Sequence, residues 1–201
     1  MKINPYRGAP LSATTPISPY ADSHDIVEVK GTALLSLIRA KTVLGVNHDE
    51  DDAYIDALVK GVVRQVERYC RIDAVKKGRQ AYYRYMHWKV VLPYGPHGDI
   101  TEIKHIDSDG NETILTADDY AVYGQKWKTL EKINKYGQLY VTYDSGFEDD
   151  SRPGEIEAAC YQELSLQYKN RQDPDTPAMT SVNNLSIEAR HLLAGIRRKP
   201  L

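Results

Sequence analysis

The stretch that decides the fold is NHDEDDAYIDALVKGVVRQVERYCRI, Asn47–Ile72. Its apolar residues recur at spacings of three and four, which places them along one face of a helix. Acidic residues open the stretch and arginines close it, an order that complements the helix dipole. The pattern predicts a long amphipathic helix over residues 50–71. Its expected buried face consists of Ile55, Leu58, Val59, Val62, Val66, Tyr69 and Cys70.

Two further helices flank this one along the chain. SRPGEIEAACYQELSLQYKNR, residues 151–171, predicts a second long helix over 153–171, with Pro153 in the first turn. Its expected apolar stripe consists of Ile156, Ala159, Cys160, Leu164 and Tyr168. A shorter helix is predicted over residues 33–44, capped by Thr32 and ended by Gly45.

The hydrophobic period changes between the two long helices, in a block that covers residues 80–147. Alternating side chains predict a long strand from about residue 80 to Leu92, ended by Pro93. Asp109-Gly110 between two apolar runs indicates a hairpin. The short turns predict that strands are sequential neighbours in an antiparallel set. The other expected strands are Ile100–Ile106, Thr113–Leu115, Tyr120–Tyr123, Lys128–Ile133 and Leu139–Tyr143.

The two ends of the chain read as extended arms outside an adaptor-like core over residues 32–171. Residues 1–31 are rich in proline, and Ile26, Val27 and Val29 suggest a short strand there. Residues 172–201 read as a linker followed by a terminal segment, in which Ser186 caps a helix over Ile187–Arg197. The expected fold class is α+β: a helical bundle of two long amphipathic helices plus short ones, with an inserted antiparallel β block and extended N- and C-terminal arms.

Composition argues against a nucleic-acid-binding protein and against a membrane protein. The 201 residues carry a net charge of −2, which gives no strong field for nucleic acid. No run is long enough to cross a bilayer and no signal peptide opens the chain, so we expect folding in a cytoplasm and no membrane partner. The cysteines, Cys70 and Cys160, are expected to be buried thiols.

Tyrosine is the compositional outlier, with 15 residues against one phenylalanine. Tyrosine suits surfaces that are buried only in part, as at subunit contacts, although it also fills half-exposed strand positions. We therefore take a set of aromatic residues as candidates for a subunit or tail interface. They are Tyr82, Tyr83, Tyr85, Trp88, Tyr94, Tyr123 and Trp127.

The sequence contains few residue patterns that would suit catalysis or metal binding. The run from Asp107 to Asp118 resembles a calcium loop, but Glu112 stands where the sharp turn needs glycine, so a hairpin turn is favoured. The acidic run Asp49–Asp52 is explained by capping of the long helix. The six histidines lack zinc spacing. We predict no catalytic, cofactor-binding or metal residue and no enzyme; a small metal-dependent hydrolase or nuclease built on these two acidic runs is the alternative from another class.

Four segments in order carry a resemblance to a known family. They are LLSLIRAKTVLGVNHDEDDAYIDALVKGVVRQVERYC, then LYVTYDSGFED, then IEAACYQELSLQYKNR with Tyr168 and Arg171, and last Leu192-Leu193 followed by Arg197. Over residues 32–198 the chain resembles the head–tail connector, or adaptor, proteins of tailed double-stranded DNA bacteriophages. The proline-rich arm and the long β block depart from shorter members.

The resemblance implies a structural virion protein located in the neck and assembled in the host cytoplasm. Its expected partners are the portal protein, other copies of itself in a ring of twelve, tail or stopper proteins, and double-stranded DNA that passes without sequence-specific contact. The terminal segment would dock on the portal through Ser186, Arg190, Leu192, Leu193, Ile196, Arg197 and Arg198. A head-completion stopper or tail-terminator protein is the alternative, but those are usually β-dominated barrels.

Overall fold

The structure is a computed structural model that describes residues 19–85, 89–131, 133, 137–172 and 185–198. It is mixed α and β, and its sheets are antiparallel, so the α+β expectation is confirmed. The helices are α1 (Leu37–Leu44), α2 (Asp52–Cys70), α3 (Gly154–Lys169) and α4 (Ile187–Leu192). The strands are β1 (Ser23–Val29), β2 (Lys77–Tyr83), β3 (Lys89–Val91), β4 (His97–Ile106), β5 (Glu112–Ile114), β6 (Ala121–Tyr123), β7 (Thr129–Glu131) and β8 (Gln138–Ser145).

The strands form two sheets, and sequential order explains only part of the pairing. The five-stranded sheet has the order β1-β2-β8-β4-β5, and the three-stranded sheet has the order β3-β7-β6. Neighbours in sequence do pair in β1–β2, β4–β5 and β6–β7. However, β8 lies between β2 and β4, so the expectation of sequential neighbours throughout is wrong. The alternating apolar residues of β8, Leu139, Val141 and Tyr143, are buried and give this strand its central place.

The long strand expected from residue 80 to Leu92 is in fact two strands in different sheets. β2 pairs with β8, whereas β3 pairs with β7. Alternation of side chains continues through both strands, so the period alone gives no sign of the break. Residues 86–88 lie outside the described part of the chain.

The first helix begins later than its sequence suggested. Ser36, not Thr32, is the N-cap of α1, and its hydroxyl accepts a hydrogen bond from the backbone nitrogen of Arg39. The Thr32 hydroxyl instead hydrogen-bonds to Asp149. Gly45 ends the helix in the left-handed conformation, as expected.

The face predicted for α2 is the face that is buried. Ile55, Val59, Val62, Val66 and Cys70 are buried, and Leu58 and Tyr69 pack partly against them. These side chains join those of the other helices in one cluster, the helical core, whose further buried members include Leu35, Ala40, Ile156, Ala159, Cys160, Leu164, Leu185, Ala189 and Leu193.

A second cluster, the sheet core, is formed by the strands and the loops between them. Its buried members are Ala81, Tyr83, Val90, Leu92, Ile103, Leu115, Leu130, Ile133, Leu139, Val141 and Tyr143. Glycine is needed at the end of β8, where Gly146 has a φ of 97° and a Cβ would lie 2.1 Å from the Val75 carbonyl oxygen. This close approach brings the last strand against the segment that follows α2.

A buried set of charged side chains lies between the two cores. The Asp73 carboxylate accepts hydrogen bonds from Arg79 Nε at 2.5 Å, Arg79 NH2 at 2.7 Å and the Ser145 hydroxyl at 2.5 Å. Lys77 Nζ lies 3.1 Å from Asp73 and 2.7 Å from Glu67, which also accepts from the Ala74 backbone nitrogen. Because these residues come from α2, β2, β8 and the connecting loop, this ionic junction fixes the bundle on the sheet.

The expected arms are partly folded. Residues 23–29 form β1, which pairs with β2 at the edge of the five-stranded sheet, so the suggested short strand is confirmed and the arm over 1–31 is corrected there. Residues 1–18 lie outside the described part of the chain, as do 173–184 in the linker. Among the described residues, no helix is both long and apolar enough to cross a membrane.

Candidate functional site

The acidic run before α2 makes structural contacts. Lys41 Nζ lies 2.7 Å from Asp49 and 2.6 Å from Asp52. The Tyr168 hydroxyl donates to the Asp51 carboxylate at 2.6 Å, and this hydrogen bond lowers the pKa of Asp51. Asp51 occupies the N-cap position but does not cap the helix with its side chain. The run therefore joins the start of α2 to α1 and α3, rather than capping α2 as we expected.

The C-terminal end of α3 explains the Tyr-x-x-Arg pattern of the sequence. Arg171 NH2 lies 3.1 Å from the Asp51 carboxylate that Tyr168 also binds. The Arg171 guanidinium covers the Tyr168 ring, with 3.8 Å between its carbon and the ring centroid. Tyr168 and Arg171 therefore bind the loop before α2 together, through the Asp51 carboxylate.

The calcium-like loop is a closed turn. The Asp107 carboxylate accepts hydrogen bonds from the backbone nitrogens of Asp109 and Asn111 and from Asn111 Nδ2, each at 2.9 Å. The side-chain bond from Asn111 is the main cause that lowers the pKa of Asp107. Within the described residues, no group of three or more His, Cys, Asp or Glu side chains is placed to hold a metal ion.

Both cysteines are buried thiols, as predicted. Burial raises the pKa of Cys70 to about 12 and raises that of Cys160 further. A thiol with such a pKa stays protonated at neutral pH, and the protonated form is a poor nucleophile.

The C-terminal segment packs on its own subunit instead of extending as an arm. The Ser186 hydroxyl caps α4, as predicted, and its backbone nitrogen donates to the buried carboxylate of Glu163 at 2.9 Å. Leu185 and Leu193 are buried in the helical core. The helix is shorter than the expected Ile187–Arg197 because the chain turns after Leu192.

The last described residues are held by stacking on aromatic rings. The Arg197 guanidinium lies 4.5 Å from the Tyr69 ring centroid, and that of Arg198 lies 4.9 Å from the Trp127 ring centroid. Arg198 NH1 also donates to the Leu92 carbonyl oxygen at 2.8 Å. Because Trp127 and Leu92 belong to the β block, these contacts connect the end of the chain to the strands.

The structure therefore divides the residues predicted to dock on the portal. Leu193 and Ser186 are buried and pack within the subunit itself, so the structure gives no support to their docking on the portal. Ile196 and Arg198 are half-buried. Arg190, Leu192 and Arg197 remain exposed. Sequence reasoning missed Ile187, which is 60% exposed on α4 and whose apolar character on a solvent face was the available signal.

The aromatic candidates divide in the same way. Tyr83 is buried in the sheet core, and its hydroxyl donates to the Val91 carbonyl oxygen at 2.8 Å, so the structure gives no support to a role for it in an interface. The Tyr82 ring is half-buried against Tyr140, with centroids 4.9 Å apart. Tyr85 and Tyr123 are exposed.

Two of the three remaining aromatic candidates, Tyr94 and Trp127, line or border a cleft that contains several arginines. Tyr94 is half-buried beneath Arg79, whose guanidinium lies 4.2 Å from the ring centroid. Trp127 is half-buried under Arg198. Trp88 lies outside the described residues.

This cleft was not foreseen from the sequence. It has a volume of about 270 Å³ and lies between the end of α2, the residues before β1 and the loop after β3. Arginines from α2 and from the C-terminal segment line it beside aromatic rings. The lining charged and aromatic residues are Tyr20, His24, Arg68, Arg71, Tyr94 and Arg198.

Comparison with known proteins adds a family and a fold. Residues 35–92 match the family model of the phage gp6-like head-tail connector proteins. This match begins just before α1 and ends just after β3. The resemblance to head–tail connectors is confirmed.

Solved structures of similar fold come from virion necks. One chain in the neck of an empty gene transfer agent particle, computed with C6 symmetry, superposes with a TM-score of 0.67 at 18% identity, covering 89% of this chain and 97% of that one. A chain in the virion of a native gene transfer agent particle gives the same score and identity, with 96% of its length covered. A neck structure computed with C12 symmetry gives 0.60 at 16% identity, covering 88% and 97%. No curated protein matches the sequence.

These likenesses show that the chain shares its fold with these proteins. They cover the helical core and the β block together, because about nine-tenths of the chain is superposed. The long β block is thus part of a known neck fold.

Proposed function

We propose that this protein is a head–tail connector subunit of a tailed double-stranded DNA phage. Twelve copies form a ring beneath the portal, extend the DNA channel and provide the platform for tail or stopper proteins. The observation that carries this proposal is the neck-type fold over 89% of the chain, together with the connector family match at residues 35–92. Assembly takes place in the host cytoplasm, and DNA passes without sequence-specific contact.

The exposed side of α4 is the part of the C-terminal segment best suited to the portal. Ile187 is 60% exposed and Leu192 is 40% exposed, with the exposed Arg190 between them in sequence. Two apolar side chains flanking a cation are typical of a contact in which the apolar groups supply most of the energy and the charge helps to orient the partners.

The test replaces these side chains without disturbing the core. Ile187→Ser combined with Leu192→Ser should weaken binding to the portal ring by about tenfold or more, because each buried aliphatic side chain contributes roughly 1–2 kcal/mol. Arg190→Ala should have a smaller effect. Binding is measured by co-sedimentation with purified portal rings and by electron microscopy of the mixture.

The matched control is Ile38→Ser, since Ile38 on α1 is 80% exposed and lies outside the C-terminal segment. Deleting residues 185–201 is a poor test, because the deletion removes Leu185 and Leu193 from the helical core. If both α4 variants bind portal as strongly as the natural protein does, the docking assignment is wrong. If the natural protein binds no portal but binds tail tubes, the stopper or terminator alternative replaces the connector proposal.

A further inference from the structure

We propose that neighbouring copies in the ring meet through two oppositely charged surfaces on opposite edges of the five-stranded sheet. One surface is an arginine face formed by Arg64 and Arg68 of α2 and by Arg71, which caps the end of this helix. The other is an acidic edge formed by Glu102, Asp109, Glu112 and Asp118 around β4 and β5. This inference rests on the proposed ring and identifies the contact that closes it.

The arginine face consists of cations that form no ion pair with the residues that the structure describes. Arg64, Arg68 and Arg71 are all exposed. The spacing of four places Arg64 and Arg68 on one side of α2, and Arg71 is the left-handed residue that caps the end of this helix. Among the described residues, no carboxylate forms an ion pair with any of the three. The nearby Glu67 is turned inward, where it pairs with Lys77.

The neighbouring described groups on this side form no ion pair with the arginine face. A second cleft, lined by Arg64, Arg68 and Arg79, lies between α2 and β1. Burial is the main cause that lowers the pKa of His24, which also lines this cleft, so His24 is neutral at neutral pH. Asp25 lies in the same cleft but forms no ion pair with Arg64 or Arg68. Within the described part of the chain, the arginine face therefore presents exposed guanidinium groups that form no ion pair.

The acidic edge has the opposite composition. Residues 101–120 contain six carboxylates and one lysine. The lysine, Lys104, lies 3.0 Å from Glu112, and Asp107 is satisfied within its own turn. Glu102, Asp109 and Asp118 are exposed and form no ion pair with a described residue. Negative charge is thus concentrated at the β4–β5 end of the sheet.

The sheet order places the two surfaces too far apart to satisfy each other. The arginine face adjoins β1, with which it shares a cleft, whereas β5 is the strand at the other edge. Five strands separated by about 4.8 Å put β1 and β5 about 19 Å apart. A copy related by rotation can bring its acidic edge to this arginine face. Such a contact joins two different surfaces and closes into a ring, as a rotationally symmetric assembly requires.

A second copy fits these observations better than DNA does. Arginines also bind phosphate groups, so the arginine face alone would suit a nucleic acid. A DNA contact, however, gives no role to a complementary acidic surface on the opposite edge of the same sheet. Charge complementarity between two surfaces of one chain is the feature expected of contacts between copies.

The experiment reverses each surface in turn and then both together. Arg64→Glu with Arg68→Glu, and separately Glu102→Lys with Asp118→Lys, should each reduce ring formation about tenfold or more because like charges then meet. The protein carrying all four substitutions should regain rings. Assembly is measured by native mass spectrometry and sedimentation of the protein alone, and by electron microscopy on portal rings.

The control reverses charges away from both surfaces, as Glu155→Lys with Lys169→Glu on α3. Both are exposed and lie at the two ends of that helix. Circular dichroism of every variant establishes that the fold is retained. A disulfide test complements the reversal: Arg68→Cys with Glu102→Cys should give covalent oligomers under oxidation, and neither single variant should do so.

Three results would contradict the proposed contact between copies. If neither reversal changes assembly, or if the four-fold variant stays as defective as the single reversals, the two surfaces do not meet. If the arginine reversal abolishes retention of short DNA duplexes while leaving rings intact, the arginine face is a DNA surface. If the natural protein forms no rings alone or on the portal and the cysteine pair gives no ladder, the contact is absent.

The proposed function is tested separately, by measuring whether the natural protein binds the portal. Charge-dependent rings without portal binding would retain the contact and reject the connector proposal. Portal-bound rings that tolerate both reversals would do the opposite.

Discussion

The helical core and the sheet core bury their side chains by different means. The helical core consists of aliphatic side chains, alanines and two thiols, which pack without needing hydrogen bonds. The sheet core buries two tyrosines, and their hydroxyls donate to backbone carbonyl oxygens: Tyr83 to Val91 at the end of β3, at 2.8 Å, and Tyr143 to Pro93 in the loop that follows. Part of the tyrosine excess therefore holds the loop after β3 inside the subunit and does not contact partners.

The difference also shows where the chain is most sensitive to change. Aliphatic packing in the bundle tolerates substitutions of similar volume, whereas a buried polar group must keep its partner. The ionic junction of Glu67, Asp73, Lys77 and Arg79 lies between the two cores and is the most polar buried part of the described chain. It is the first place to test whether the two cores unfold together.

Asp73→Ala should have the largest effect. It leaves the buried Arg79 guanidinium without its carboxylate, and breaking such a pair costs roughly 3–5 kcal/mol. Trp127 borders Gly95 and His97 of the β block and also packs against the helical core, so its fluorescence reports on the region where the two cores meet, while circular dichroism reports mainly on the helices. We expect the two urea transitions to coincide in the natural protein and to separate in the variant.

Two further variants serve as controls for Asp73→Ala. Asp56→Ala removes an exposed ion pair with Lys60 and should change the free energy of unfolding by less than about 0.5 kcal/mol. Ser145→Ala removes one hydrogen bond to Asp73 and should cost about 1 kcal/mol. If Asp73→Ala costs no more than Asp56→Ala, the junction does not join the cores.

Ile156→Ala should destabilise the helical core by roughly 2–5 kcal/mol, because Ile156 is fully buried on α3 and its loss leaves a cavity. Leu139→Ala makes the matched change on β8 in the sheet core. With the junction intact, each variant should shift both optical transitions equally in urea titrations. A shift confined to one probe would mean that the cores are independent units.

His97 should make stability fall as the pH is lowered from 6.5 toward 4. Burial lowers the pKa of His97 to about 4, while an unfolded histidine has a pKa of about 6.5. The neutral ring accepts from the Lys128 backbone nitrogen at 2.8 Å and contacts the Pro93 carbonyl oxygen at 3.3 Å. Because the folded pKa is depressed, the contribution is complete above pH 6.5 and is lost as the unfolded chain takes up the proton.

The loss should be roughly 2–3 kcal/mol at pH 4, measured as the free energy of unfolding in urea. His97→Gln should flatten this part of the profile, and His191→Gln, at an exposed position on α4, should not. Burial would also raise the pKa of Asp73, but its ion pairs with Arg79 and Lys77 outweigh burial and lower it. That contribution is lost only at lower pH, as the pH falls below the usual range of an aspartate. An unchanged profile in His97→Gln would show that this ring does not titrate as described.

Tyr83→Phe should have the smallest effect, about 1 kcal/mol, because it leaves the Val91 carbonyl oxygen without its donor while keeping the ring. Tyr123→Phe is the control, since Tyr123 is 45% exposed. Thermal unfolding of the two variants, followed by tryptophan fluorescence, gives the difference. Equal melting temperatures would show that the buried Tyr83 hydroxyl does not stabilise the fold. Hydrogen-bonded tyrosine would then not distinguish the sheet core from the helical core.

Local signals predicted the helices well because each helix is determined by residues within a few positions of one another. The buried face of α2 follows from its three- and four-residue spacing, and Ser186 and Gly45 act as the cap and the stop that their residue types suggest. The start of α1 was wrong because Thr32 and Ser36 are both good caps, and the choice between them depends on where Thr32 finds Asp149.

The candidate site was predicted less well, since exposure depends on contacts between distant segments. Leu192 and Leu193 are adjacent and identical in type, yet Leu193 is fully buried while Leu192 is 40% exposed. Tyr82 and Tyr83 differ in the same way, because neighbours on a strand face opposite sides of the sheet. Knowing which side is covered requires the pairing of β2 with β8, more than fifty residues away.

The sequence by itself determined two amphipathic helices, a strand-rich block and the absence of known catalytic motifs, because periodicity, capping and turn residues act over short stretches. Only the tertiary structure decided that β8 lies between β2 and β4, that the C-terminal segment packs on α3, and that the arginines of α2 lie beside β1 while a group of carboxylates lies around β4 and β5 at the other edge of that sheet. The physical reason is that burial and charge complementarity are properties of surfaces, and surfaces form only when distant segments meet.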